Sequence, residues 1–398
     1  MSNSTPIGNC VVEVDCWAPE RSSENGFFRY IDLSALDKSK KTIDTASVVE
    51  IEFRAAPSRA RQLVKAGDVL VSTVRPNLNG VALIGNDLDG ATASTGYCIL
   101  RCNGNLNPEY LFFWVQTPAF VDEMTRRATG ANYPAVTDRI VKTSKIPLPP
   151  LGVQCHIAKT LKQADRLRRQ AQQIEAELDR LAQALFRDMF GDYRQQAAKS
   201  FVPLAEVADV VSGVAKGSKL TGAVRSLPYL RVANVQDGFL DLSEIKEIEA
   251  TERDIEKYRL KAGDILMTEG GDFDKLGRGA MWSGEITECI HQNHIFRVRL
   301  SDAYEPRFFE CYLRTPMVKT YFLGCAKKTT NLASINMSQL KALPTPKESL
   351  GRQKQFVVAL QKIEAQRQMA RRQQVELEQG FQSLMQRAFK GELTPKLA

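Results

Sequence analysis

The sequence predicts a mixed α/β fold built twice, with two tandem-repeated strand-rich domains and two long helices. Three observations predict it. The stretch from Val153 to Phe190 contains no proline and places Ile157, Leu161, Ala164, Ala171, Ile174, Leu178, Leu181 and Leu185 at steps of three and four, one apolar stripe on a continuous helix. A second such stretch, from about Gly351 to Gly391, carries Leu360, Ile363, Ala370, Leu377, Phe381, Leu384 and Ala388 at the same spacing. Near-heptad spacing over lengths of roughly 55 Å predicts that each helix has a helical partner. The third observation is a repeat of about 200 residues running through the whole chain.

The repeat is legible landmark by landmark. Lys65-Ala66-Gly67-Asp68-Val69-Leu70 returns as Lys261-Ala262-Gly263-Asp264-Ile265-Leu266. Ile99-Leu100-Arg101 aligns with Ile295-Phe296-Arg297, Thr117-Pro118 with Thr315-Pro316, and Pro147-Leu148-Pro149 with Pro344-Thr345-Pro346. Gly152 and Gln154 match Gly351 and Gln353 at the head of each helix. The expected divisions are residues 1–150, a first domain; 151–191, the first long helix; 192–350, a second domain; and 351–398, the second long helix.

Within the first domain, strands are expected at Val69 to Val74 and Tyr97 to Arg101, each after a Gly-containing turn. Pro108 to Arg126 reads as a helical pair broken at Thr117-Pro118, and Pro306 to Phe322 as its repeat. In the second domain, strands are expected at Val207 to Val211, Tyr229 to Val232, Asp264 to Thr268 and His294 to Leu300.

Composition narrows the function. With Lys+Arg 54 against Asp+Glu 46, the formal charge of +8 favours a polyanionic partner. The eight cysteines follow no disulfide framework and the N-terminus lacks a secretory pattern, so a reducing cytoplasm is expected. No window approaches a membrane span.

The sequence carries no recognisable catalytic motif of its own. Asn107-Pro108-Glu109-Tyr110 lacks the second proline of the Asn-Pro-Pro-Tyr loop that holds a flipped base, and its repeat is Glu305-Pro306-Arg307-Phe308, so a proline opening a helix is the better reading. Gly277-Arg278-Gly279 and Gly284 do not form a dinucleotide or S-adenosylmethionine loop. Cys289, His291 and His294 lack a fourth zinc ligand. No metal site and no cofactor is expected in this chain.

Taken together, Ser72-Thr73-Val74-Arg75-Pro76-Asn77, the stretch Ala128 to Val136, Ile146-Pro147-Leu148-Pro149-Pro150, Leu230-Arg231-Val232-Ala233-Asn234 and the close Ala388-Phe389-Lys390-Gly391-Glu392-Leu393 resemble the specificity subunit of type I restriction-modification enzymes. The resemblance spans the chain. It implies two target-recognition domains separated by two long antiparallel coiled-coil helices, each domain reading one half of a bipartite, asymmetric DNA target. It also implies a non-catalytic chain that docks methyltransferase subunits, two of them, and in a full complex restriction/translocase subunits. S-adenosylmethionine, ATP and Mg2+ then belong to those partners, and the setting is the bacterial or archaeal cytoplasm. The rival readings are a structural adaptor whose two domains bind proteins, and a self-contained methyltransferase.

Candidate DNA-contacting residues follow from side-chain chemistry. Arg offers paired hydrogen bonds to guanine and Asn to adenine, whereas Lys and other Arg contacts to phosphate position the protein. The first turn supplies Arg75, Asn77 and Asn79, with Thr268, Glu269, Asp272, Lys275 and Arg278 at the matching place in the second half. A second loop supplies Arg126, Arg127, Thr129, Asn132 and Tyr133, matched by Lys327, Lys328 and Asn331. Lys216 and Lys219 form a further phosphate candidate. For any one of these residues an ordinary solvated turn explains the composition equally well. On the helices, Arg166, Arg168, Arg169, Arg367, Arg371 and Arg372 are candidates for spacer DNA or a docked partner, against the plainer reading of a solvated face.

Overall fold

The computed structural model describes residues 4–23, 25–215, 217, 222–271, 276–328 and 333–393. They form two units, one of residues 1–173 with 371–398 and one of residues 174–370. Helices are α1 (Pro108–Trp114), α2 (Pro118–Arg127), α3 (Asp138–Thr143), α4 (Leu151–Phe190), α5 (Glu252–Tyr258), α6 (Pro306–Leu313), α7 (Pro316–Cys325), α8 (Met337–Lys341) and α9 (Leu350–Phe389).

The first unit is organised by an antiparallel sheet in the order Val11–Val12, Tyr97–Cys102, Val69–Ser72, Val81–Leu83. Strand alternation sends Val69, Val71, Cys98 and Leu100 to one face, where they join a core with α1, α2 and the two long helices. Leu70, Tyr97 and Ile99 point the other way, into a second core. A second four-stranded sheet, Val49–Glu52, Phe27–Ile31, Thr92–Ser94 and Ala60–Leu63, includes one parallel pair, Thr92–Ser94 with Phe27–Ile31. Both faces of the central sheet are covered, which is why its strands read as apolar runs rather than alternation.

The second unit repeats the plan. Its central sheet runs Ala208–Ser212, Ile295–Leu300, Ile265–Thr268, Gly279–Met281, with Ile265, Met267, Phe296 and Val298 facing the helices and Leu266 and Ile295 facing a second core. In both units a short antiparallel pair adjoins the long helix: Ser4–Pro6 with Lys145–Pro147, and Phe201–Pro203 with Pro344–Pro346. The following glutamine locks it. Gln154 accepts from Asn107 N at 2.8 Å and donates to Asn105 O and Pro149 O, while Gln353 accepts from Glu305 N at 2.9 Å and donates to Ala303 O and Glu348 O. Both glutamines are buried, so their amides must find these partners.

The Lys-Ala-Gly-Asp landmark is a tight turn whose glycine adopts a left-handed conformation, φ +88° at Gly67 and +92° at Gly263. The turn aims a buried carboxylate at an arginine on the strand that pairs with the one the turn opens. Asp68 takes a paired contact from Arg101, at 3.0 and 2.8 Å, and Asp264 takes one from Arg299, at 2.7 and 2.7 Å. This corrects the alignment of Arg101 with Arg297. Leu100 lies opposite Val69 and Val298 opposite Ile265, so the true counterpart of Arg101 is Arg299, two residues further on. A slip of two leaves every side chain on its original face, so the hydrophobic pattern alone did not reveal it.

The long helices run antiparallel within each unit. In the first, Arg168 meets Glu378 and its guanidinium lies over the Phe381 ring at 4.9 Å. In the second, Asp179 meets Arg367 while Phe190 packs on Phe356. The stripe on α9 is buried or half-buried as expected, but that on α4 needs correction: Ile174 and Leu181 are 47% and 51% exposed. One partner helix covers only two positions in seven. On α4 these are the series of Ile157, Ala164, Ala171, Leu178 and Leu185, and the residues four further on, which include Arg168, Glu175 and Ala182. The seam is therefore partly charged at mid-length.

Candidate nucleic-acid interface

In the first unit the chain leaves strand Val69–Ser72 and turns through Thr73 to Gly80. Pro76–Leu78 form one 3-10 turn between Arg75 and Asn79, both left-handed at φ +51° and +44°. Such angles are uncommon for residues other than glycine and persist where surrounding contacts enforce them. The enforcing contacts are visible. Arg75 N donates to Pro134 O at 2.7 Å, Val136 N to Thr73 O at 2.9 Å, and Val74 and Thr129 both bridge to Ala135. Two stretches far apart in sequence thus form one surface.

On that surface the Arg75 guanidinium lies over the Tyr133 ring, 4.8 Å from its centroid. Both residues are exposed, as are Asn77, Thr129 and Asn132. The ring contact holds an exposed guanidinium on the turn, a group whose planar fork suits paired recognition of a base. Asn79 does something else: its amide donates to Val115 O at 2.8 Å, and its carbonyl accepts from Lys41 Nζ at 2.6 Å, so it braces the turn. Arg127 is held by Glu123 at 2.9 Å and Thr143 at 3.2 Å, and Arg126 Nε reaches Asp122 O at 3.3 Å; both are exposed.

The second unit joins its loops in the same way. Gly270–Gly271 pairs with Ala333–Ser334, which pairs with Lys327–Lys328. Lys327 is exposed. Thr268 requires correction: it ends strand Ile265–Thr268 and is fully buried, because the strand continues into the core instead of turning out at this point. Glu269 is engaged by His294 Nδ1 at 2.6 Å, and half-buried Arg278 by Gln236 at 3.2 Å and Val232 O at 3.4 Å. Lys216, Lys219, Asp272, Lys275, Asn331 and the side chain of Lys328 lie outside the described residues.

The helix arginines separate into two groups. Arg168 is mostly buried, bonded to Asp165 and Glu378, and Arg367 is bonded to Asp179, so these two join the helices instead of offering a free face. The two ion pairs are repeat equivalents with their partners exchanged. Arg169 Nε is held by Asp165 at 2.6 Å, whereas Arg166, Arg371 and Arg372 are exposed. Sequence reading missed the hairpin Leu36–Asp37 with Thr42–Ile43, whose turn Lys38-Ser39-Lys40-Lys41 carries three lysines beside the Asn79 turn. Its signal was the lysine density itself.

Cys289 and His291 are buried and His294 is exposed, and among the described residues no group of side chains has the makings of a metal site. His291 is instead a core residue, its Nδ1 against Ile295 O at 3.0 Å. Burial lowers its pKa to about 4. The unfolded chain, with histidine near 6.5, takes up the proton first, so this contribution to stability is present above pH 6.5 and is lost as pH falls toward 4. Between pH 7 and pH 4.5 the loss is expected to be about 2–3 kcal/mol. Urea unfolding of the wild type and His291→Gln at both pH values checks this; equal acid sensitivity of the two would refute it.

Residues 25–180 match the family described as type I restriction modification DNA specificity domain. The chain is similar to the type I restriction enzyme EcoKI specificity subunit of Escherichia coli (strain K12), 26% identical over 322 residues that make up 73% of this chain and 68% of that one. It is also similar to the putative type I restriction enzyme MjaX specificity subunit of Methanocaldococcus jannaschii, 31% identical over 135 residues, 33% of this chain and 32% of the relative. Among solved structures, a chain from work on complex assembly and conformational transition of the type I R-M system has the same fold, with a TM-score of 0.64, 24% identity and 98% of each chain covered.

Proposed function

Because the chain belongs to the family of type I restriction-modification specificity subunits, we propose that it is the non-catalytic DNA-reading subunit of such a complex, each unit reading one half of a bipartite asymmetric target. The observation that carries this is the Arg75–Tyr133 stack on a turn forced into shape by the second loop. Arg75 reads guanine in the major groove through its N–H edge, Asn77 reads a neighbouring base, and Arg126 and Arg127 approach phosphates. The second unit presents different side chains at the joined loops, so its half-site differs. The long helices set the spacing of the half-sites and dock two methyltransferase subunits, with restriction/translocase subunits joining in a full complex. S-adenosylmethionine, ATP and Mg2+ serve those partners. The setting is the cytoplasm; among the described residues no helix is long and apolar enough to cross a membrane.

Sequencing of methylated bases in genomic DNA, with the gene intact and deleted, tests the reading. One split, asymmetric motif carrying N6-methyladenine in both halves should vanish on deletion. An unchanged pattern beside an active methyltransferase would favour the adaptor.

Arg75→Ala is expected to cost the assembled complex about 1–3 kcal/mol of discrimination at one base pair of the first half-site, leaving the second half-site as strict as before. Arg75→Lys should not restore it, since an ammonium lacks the planar fork. Competition binding with duplexes substituted at each position measures this. A uniform loss across all sequences would make Arg75 a phosphate contact instead.

A further inference from the structure

Next to the lysine hairpin, the first unit holds an open cavity of about 380 Å³ bordered by Ser39, Lys41, Gln116, Pro118, Asp122 and Arg168. Lys41 reaches it from a left-handed backbone, φ +55°, an uncommon conformation for a lysine. Its Nζ donates to the neutral Asn79 O at 2.6 Å and forms no ion pair among the described residues. Burial, and then the positive charge of Arg168, lower the pKa of Lys41 to about 8. The α2 N-terminus at Pro118 adds the positive potential of helix N–H groups left without intrahelical partners. Gln116 spends one amide N–H on Phe112 O and keeps another. Asp122 is the one carboxylate along the wall.

The second unit provides an internal comparison. Its cavity of about 480 Å³ has Arg367 where the first has Arg168, Arg314 where the first has Gln116, and Asp237 from the equivalent connection. There the cations are matched: Arg367 with Asp179, Arg314 with Asp237, and Arg307 with Glu310 and Glu364. Arg168 of the first cavity is likewise paired, with Asp165 and Glu378, so the cation that sets the first cavity apart is Lys41, whose Nζ meets only the neutral Asn79 O among the described residues.

We propose that the first cavity binds a phosphoryl oxyanion, with Lys41 Nζ as the principal ligand, Gln116 as a further donor, and the α2 N-terminus supplying a favourable field. The bound anion stabilises the charged form of Lys41 and so strengthens its hold on Asn79 O, at the base of the turn that carries Arg75 and Asn77. The anion is a backbone phosphate of DNA or free inorganic phosphate. Occupancy of the cavity by free phosphate does not depend on the chain's reading DNA.

The test is competitive acetylation of the full chain with limiting acetic anhydride, with Lys41 followed by peptide mass spectrometry. Inorganic phosphate is compared with sodium chloride at equal ionic strength, and separately with a duplex DNA. Phosphate at twice its dissociation constant should slow Lys41 labelling about threefold relative to chloride. Gln116→Glu, which adds a second carboxylate to the wall of the same cavity, should abolish that protection while circular dichroism stays unchanged. Protection by phosphate and by duplex supports a DNA phosphate in the cavity, and protection by phosphate alone supports the free anion. Protection by duplex but not phosphate means that Lys41 is merely covered and overturns the proposal, as does protection by neither. Phosphate protection that persists fully in Gln116→Glu also overturns it.

Discussion

Asp68→Ala is expected to destabilise the first unit by about 3–5 kcal/mol, because it strips a largely buried guanidinium of its paired carboxylate and leaves it only Leu63 O and the exposed Asp15 at 3.7 Å. Asp68 is 1% exposed, and it accepts from both Arg101 Nε and Arg101 Nη2 and from Lys65 N. Alanine removes all three contacts, and water has little access to replace them. Asp264→Ala should behave alike in the second unit, where Arg299 and Lys261 N make the same contacts. Asp209 accepts from Arg297, so Arg297→Ala leaves the Asp264 contact in place. Denaturant unfolding with one probe in each unit measures these effects. A loss below about 1 kcal/mol in Asp68→Ala would mean that the pair is solvated and of the surface kind.

Phe308→Ala should cost about 3–5 kcal/mol in the second unit, the range for emptying a buried aromatic site. Phe308 is fully buried and lies 5.6 Å from Phe186, 4.9 Å from Phe190 and 6.4 Å from Phe356, centroid to centroid. These rings join α6 to both long helices, so the cavity left by alanine borders all three elements. Phe308→Leu keeps most of the volume and should lose much less. Equal loss in both variants would show that ring geometry rather than volume is what the site requires. The first unit uses Tyr110 at this place, packed 5.1 Å from Phe389 with its hydroxyl on Pro147 O at 2.9 Å.

Much of the fold was legible because the local signals agree with one another. Asn107 and Thr117 cap α1 and α2 through Tyr110 N and Phe120 N, as Asn-Pro and Thr-Pro at helix starts predict. The Lys-Ala-Gly-Asp turn and the glutamine after each Pro-x-Pro stretch keep the same bonds in both halves, so the repeat was a structural one. The misread features are those where side-chain type and spatial position part company. Ile174 and Leu181 look like seam residues and are exposed, while Arg168 looks like a free charge and lies within the seam.

The candidate site was legible as composition but not as geometry. Arg75 and Tyr133 were both identifiable, yet their stack depends on the pairing of Val74 with Ala135, a contact between residues 61 positions apart. Asn77 and Asn79 carry the same amide, and only the fold sends one to solvent and the other to Val115 O. By itself the sequence determined the duplicated strand-rich domains, the two long helices, the turns at Gly67 and Gly263 and the chemical character of the loops. These follow from periodicity, from capping and from backbone preferences that act within a few residues. The tertiary structure decided the register of Arg299 on Asp264, the charged seam of the helices, the union of the two loops and the enclosure of Lys41. Each of these depends on which distant groups a side chain meets, and that is set by packing across the whole unit rather than by neighbours along the chain.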